Sequence, residues 1–245
     1  MKGPGRLPTP REEGKRRIKG LVAPHAGYVY SGPVAAHAYL TLADSGLPST
    51  FVILGPNHTG HGSGVAITTE TFRTPLGDVP VNDQIAKKLV GGIIDNDPAA
   101  HRYEHSIEVQ LPFLQYIRSE IDFVPICMSF QDYETAVEVG RAIAQATEGI
   151  DNVIIASTDL SHYVPPARAA QQDRKVIDLV VEGDAKKLVQ TVCDQNISMC
   201  GYGPVAAMLE ATHGRGRLLK YATSGDVEPM AEVVGYAAMV VEGGQ

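Results

Sequence analysis

Three short stretches far apart in the chain carry side chains fit for metal chemistry: P-H-A-G-Y at Pro24–Tyr28, G-P-N-H at Gly55–His58, and S-M-C-G-Y-G-P at Ser198–Pro204. Each adjoins what reads as a core element, and each offers one metal-ligating residue: His25, His58 and Cys200. Two imidazoles and a thiolate meeting in one pocket would bind a divalent transition metal and leave positions open for water, substrate or dioxygen. S-T-D-L-S-H-Y at Ser157–Tyr163 adds Asp159 and His162. An imidazole titrates near neutrality and suits acid/base work, with Asp159 available to orient it. His105, followed one turn later by Glu108, would add a polar wall. Tyr28, Asn57 and Tyr202, borne on the same three stretches, would line the pocket. Cys200 precedes a helix start, where aligned peptide dipoles favour a thiolate. Gly27, Gly55 and Gly201 would let backbone approach the ion or its ligand.

Taken singly, these residues have plainer roles. A histidine after a strand is more often a hydrogen-bonded structural residue than a ligand. Asp159 and Ser161 serve equally well as caps of the next turn. The spacing matches neither H-E-x-x-H nor paired C-x-x-C. By themselves the residues define a pocket with His, Asp and Cys. Cys127, in an apolar strand, and Cys193, behind a helix, read as inert thiols. His37 and His213 read as ordinary helix residues, and His61 and His101 as solvated loop residues.

The elements that must converge on this pocket follow from the apolar pattern. Ile18–Ala23, Phe51–Leu54, Phe123–Cys127 and Val153–Ala156 are near-continuous apolar runs, the pattern of strands buried on both faces. Val65–Thr69, Arg217–Thr223 and Glu232–Val241 read as further strands. A helix capped by Ser31, with Pro33 just inside it, runs to near Gly46. Others are expected at Asn82–Val90, Glu104–Arg118 with a kink at Pro112, Tyr133–Thr147, Pro166–Val181, Asp184–Thr191 and Pro204–His213. Strands alternating with helices predict one α/β domain over residues 18–245, its largely parallel or mixed central sheet flanked by helices. Residues 1–17, rich in Pro, Gly and charge, read as a flexible lead-in. Ligands of such sheets sit beyond the carboxyl ends of strands, which is where His25, His58, Asp159 and His162 fall.

Composition narrows the partners. Across 245 residues, 21 basic against 28 acidic side chains give a net charge of −7, which argues against a nucleic-acid surface. No apolar run approaches the ~20 residues that span a bilayer. Three cysteines without regular spacing make no disulfide framework, so a reducing, cytoplasmic setting is expected.

As a set, A-P-H-A-G-Y-V-Y-S-G-P at Ala23–Pro33, L-G-P-N-H at Leu54–His58, E-H-S-I-E-V-Q-L-P-F-L at Glu104–Leu114, S-T-D-L-S-H-Y and C-G-Y-G-P at Cys200–Pro204 resemble the Memo family. The match runs in order from about residue 18 to the end. That family is similar in fold to the class III extradiol ring-cleaving dioxygenases, in which two His and a carboxylate hold non-haem Fe(II) and another His acts as acid/base. The resemblance implies His25 and His58 as metal ligands and His162 as the acid/base. Cys200 lies where the family has a Cys instead of the dioxygenase carboxylate. A metal-bound thiolate changes redox behaviour and is itself oxidisable, so ring cleavage does not follow from fold. The implied function is a metal-dependent oxidoreductase, with Fe(II) foremost and copper as the alternative, taking a small molecule or peptide in the cleft; zinc there would instead make a hydrolase, with metal-bound water as nucleophile and His162 or Glu108 as base. The other implied function is a catalytically inactive scaffold that binds a peptide or protein partner there. Members usually carry A-G-x-F-Y-P and an N-terminal helix ahead of P-H-A-G-Y; neither is found here, and a shortened start is expected.

Overall fold

A computed structural model describes residues 1–9 and 17–243. In chain order the elements are β1 (Ile18–Ala23), α1 (Tyr28–Ser45), β2 (Thr50–Pro56), β3 (Val65–Ile67), β4 (Phe72–Thr74), β5 (Gly77–Val79), α2 (Asp83–Leu89), β6 (Asp95–Asn96), α3 (Leu111–Ile117), β7 (Phe123–Met128), α4 (Tyr133–Ala146), β8 (Asn152–Ser157), α5 (Pro166–Glu182), α6 (Ala185–Asp194), α7 (Tyr202–Thr212), β9 (Arg215–Thr223) and β10 (Gly235–Glu242).

Among the described residues, eight strands form one sheet in the order β6-β3-β7-β2-β8-β1-β10-β9, and β4 pairs with β5 in a separate hairpin. The four central strands β7, β2, β8 and β1 run parallel. β10 and β3 are antiparallel to β1 and β7, and β9 to β10, so the sheet is mixed. Strand side chains alternate between faces, and both faces are buried. In β2, Phe51 and Ile53 pack with Val34, Leu42, Leu111 and Leu114 of α1 and α3. Val52 and Leu54 meet the opposite layer, which includes Leu89 of α2, Val139 of α4, Val176 of α5, Leu188 of α6 and Met208 of α7. The result is a helix–sheet–helix sandwich. α1 carries the chain from β1 to β2, and α4 brings it back from β7 to fill the place between them with β8. The carboxyl ends of β1, β8 and β2 are therefore neighbours, at one edge of the sheet.

The structure departs from the sequence reading in four places. α1 starts at Tyr28, with Gly27 at its N-cap; Ser31 lies inside it, and its hydroxyl donates to the Ala26 carbonyl at 2.6 Å. Pro33 then falls in the second turn and removes the bond to the Val29 carbonyl. Glu104–Arg118 is not one kinked helix. A 3₁₀ turn covers Glu108–Gln110, and α3 begins at Leu111 with Pro112 in its first turn. Pro112 starts this helix at no hydrogen-bonding cost instead of bending one. The hairpin of β4 and β5 was not foreseen. The first residues of the expected lead-in are tied down: the Met1 ammonium donates to the Asp226 carbonyl at 3.1 Å and Arg6 pairs with Asp44. The remainder, residues 10–16, lies outside the described residues. Among the described residues no helix is long and apolar enough to cross a membrane.

Candidate metal centre

His25, His58 and Asp159 each stand two residues beyond a central strand, β1, β2 and β8 respectively. Because those strands are neighbours, their following turns converge. The ligand nitrogens of His25, His58 and His105 all lie within 4.8 Å of one another. His58 and His105 stack at 4.9 Å between ring centroids, and His25 stands edge-on to both, at 5.1 and 5.4 Å. His105 was expected only as pocket wall; its side chain is half exposed, and it joins the cluster directly.

The deepest anchor is Glu104, which sequence reasoning passed over. Its buried carboxylate accepts from the His58 ring Nδ1 at 2.9 Å and from the backbone N–H groups of His58 (2.5 Å), His105 and Ser106 (both 2.9 Å). Burial pushes its pKa up, but the His58 ring and these N–H groups outweigh that and hold it at about 2. An ionised acceptor on Nδ1 fixes that nitrogen as the donor and leaves Nε2 of neutral His58 as a free ligand atom. The available signal was an acid directly before His105, three residues ahead of Ile107. Asn57 shapes the same turn: its Oδ1 accepts from Thr59 and Gly60, and its Nδ2 donates to the His61 carbonyl.

His25 is buried. Its Nδ1 lies 2.9 Å from Ser157 Oγ and its Nε2 3.3 Å from Cys200 Sγ. Burial, with His58 and His105 close by, holds its pKa well below the ordinary value, so the ring is neutral. Cys200 is therefore beside the cluster, but it is not a ready thiolate. Burial and the Asp159 carboxylate push its thiol up to about 12, against the help of the Asp159 N–H at 3.2 Å. A bound cation would reverse that balance. The turn holding Cys200 is clamped by Gln131, whose amide donates to the Cys200 carbonyl and accepts from the Gly203 N–H, both at 2.9 Å.

Asp159 does not orient His162. It accepts from the backbone N–H groups of His25 (3.0 Å) and Ala26 (3.3 Å), so it aims the His25 turn. His162 is oriented from elsewhere: its N–H donates to Ser198 Oγ and its Nδ1 to the Ser198 carbonyl, each at 2.7 Å. A carbonyl only accepts, so neutral His162 keeps Nε2 free to take a proton.

The remaining candidates scatter. Tyr28 donates to the Val109 carbonyl at 3.0 Å, edge-on to Phe113 and half exposed. Glu108 is exposed. Tyr202 packs against the core layer beside Cys193, away from the histidines. His101, expected in solvent, is buried; its Nε2 donates to the Ala66 carbonyl at 3.2 Å, and burial lowers its pKa to about 4. Gly55 and Gly201 serve chain packing, since a Cβ on Gly55 would press on Ser106 Oγ and one on Gly201 would meet the Ser157 carbonyl at 2.6 Å; at Gly27 a Cβ would meet nothing within 4 Å.

Fold and site together define a single α/β domain with a mixed sheet and a histidine cluster at the carboxyl edge of its central strands. The chain belongs to the Memo family, since residues 6–240 match the family described as Memo-like protein. A MEMO1 family protein of Methanopyrus kandleri is 52% identical over 253 residues, covering 99% of this chain and 89% of that one. Another, from Methanocaldococcus jannaschii, is 50% identical, covering 91% and 83%. Among solved structures, an uncharacterised protein of Escherichia coli K12 aligns over 91% of this chain and all of its own, with a TM-score of 0.59 at 13% identity. That likeness is one of fold.

Proposed function

We propose that His25 and His58, with Cys200 or His105 as third ligand, hold one divalent transition metal, and that the protein is a metal-dependent oxidoreductase acting on a small molecule. The observation that carries this is the convergence of three imidazole nitrogens within 4.8 Å, one of them on a ring anchored by a buried carboxylate at 2.9 Å. Such carboxylate–histidine pairs are the usual support of metal-bound imidazoles. The donor set suits iron, copper and zinc alike; Fe(II) is placed first on the likeness of the family to non-haem iron dioxygenases. Bound iron would supply the redox couple and Lewis acidity for the reaction. Around it, His162 would take a proton from the substrate through its free Nε2, while Asp159 keeps the His25 turn in place. The half-exposed His105 leaves the cluster open to solvent on one side, where substrate would enter.

The scaffold reading has its own observation. Tyr28, Tyr103 and Tyr163 are 49%, 75% and 72% exposed, on the segments that carry His25, His105 and His162. Exposed aromatics beside a cleft favour recognition of a peptide or protein partner.

Metal analysis by mass spectrometry on anaerobically purified protein separates the two. The oxidoreductase reading expects stoichiometric iron in wild type, lost in His58→Ala. Retention in His105→Ala with loss in Cys200→Ala makes the thiol the third ligand, and the reverse makes it His105. Oxygen uptake dependent on added Fe(II), across a panel of small phenols and catechols, then tests the chemistry. A wild type that holds no metal and refuses Fe(II), copper and zinc leaves the scaffold.

A further inference from the structure

Two carbonyl groups, which can only accept, fix every proton in a buried chain that ends on His25. The Ser157 hydroxyl has one proton and gives it to the Ser106 carbonyl at 2.6 Å. Its oxygen then only accepts, and two groups approach it: Gln110 Nε2 at 2.8 Å and His25 Nδ1 at 2.9 Å. The Gln110 amide cannot be reversed, because its nitrogen also donates to the Pro24 carbonyl at 3.1 Å while its oxygen accepts from Tyr39 at 2.6 Å. Ser157 and Gln110 are both fully buried and Tyr39 nearly so. The hydroxyl of Ser157 therefore has both lone pairs and its proton committed.

We infer that Ser157 and Gln110 are positioning residues that lock His25 as its Nδ1–H tautomer, so that its Nε2 lone pair faces the histidine cluster. Gln110 touches no ligand and acts through Ser157. With Glu104 on His58, the short segment 104–110 then sets the tautomer of two of the clustered imidazoles at once. The effect on metal affinity rests on the function proposed above; the tautomer does not, since it is a property of the metal-free chain.

The test is long-range ¹H–¹⁵N correlation NMR of the histidine rings in metal-free protein, with His25 assigned by its loss in His25→Gln. Wild type is expected to show a protonated Nδ1 and a bare Nε2 on His25. Ser157→Ala is expected to bring in the Nε2–H form on His25, and Gln110→Leu, which removes one of the two donors that keep the Ser157 hydroxyl turned to the Ser106 carbonyl, a smaller share of it; both should leave the His58 ring, held by Glu104, unchanged, and that second signal reports an intact fold. Titration of the same samples with cobalt(II) is expected to show affinity roughly 10- to 100-fold weaker in both variants. A bare Nδ1 in wild type, or a His25 tautomer untouched in Ser157→Ala with His58 intact, overturns the inference. A correct tautomer shift in a protein whose wild type binds no cobalt(II), iron(II) or zinc(II) upholds it and rejects the metal reading instead.

Discussion

Glu104 shows how one side chain can decide both local backbone and site chemistry. Four donors converge on its carboxylate, two of them N–H groups of the residues that follow it. Side-chain acceptors that take nearby N–H groups compete with helix formation, so a segment with helical spacing begins as an irregular turn. The same contacts give stability a pH dependence. The carboxyl titrates near 4.5 ordinarily and at about 2 when folded. Below 4.5 the unfolded chain takes up a proton that the folded chain refuses, so the contribution is full above that pH and is lost as pH falls towards 2. It is worth on the order of 3 kcal/mol. Urea unfolding between pH 6 and 2 should show this acid limb in wild type and a shallower one in Glu104→Gln. The same substitution should weaken metal binding by about 10- to 100-fold, read by cobalt(II) titration.

At the scale of elements, the parallel core was legible because strands buried on both faces write themselves as unbroken apolar runs. The positions of His25 and His58 followed from those strand ends. What stayed hidden depends on contacts between segments remote in sequence. The run from Ile107 to Arg118 repeats like a helix, yet Pro112 belongs to a first turn, and only the bonds between Glu104 and the β2 turn reveal why. Tyr202 stands two residues from Cys200 in sequence, but the first turn of α7 turns its ring towards Cys193. Asp159 was matched with its neighbour His162, whereas its N–H partners come from the β1 turn. Gly201 is a case where close packing imposes the residue. It stands at the start of α7, where a Cβ would press on the Ser157 carbonyl at 2.6 Å and on Thr158 Cβ at 2.7 Å. Backbone on one side leaves little room to yield, so Gly201→Ala should cost about 1–3 kcal/mol. The loss is expected in the midpoint of urea unfolding with an unchanged m-value. The Cys200 turn is also expected to move away from His25, so iodoacetamide should label Cys200 faster than in wild type.

At the scale of the whole molecule, the candidate ligands come from the ends of β1 and β2, the turn before α7 and the segment before α3. A metal joining them would tie the two halves of the chain across the centre of the sheet. The unfolded chain brings no such set together, so a ligand of the folded state raises stability by mass action, about 2.7 kcal/mol at a hundredfold excess over Kd. For a domain of this size about 1 kcal/mol moves Tm by roughly 2–4 °C, so the midpoint should rise by about 5–10 °C. Because the ligands span the molecule, the whole transition should shift as one, followed equally by tyrosine absorbance and by circular dichroism. A chelator should return the curve to that of the metal-free protein. His58→Ala should unfold at one temperature with and without metal, since it lacks the imidazole that the Glu104 carboxylate holds in place at 2.9 Å. A metal-induced rise that persists in His58→Ala would put the binding elsewhere, and separate shifts by the two probes would mean that the metal stabilises only part of the domain.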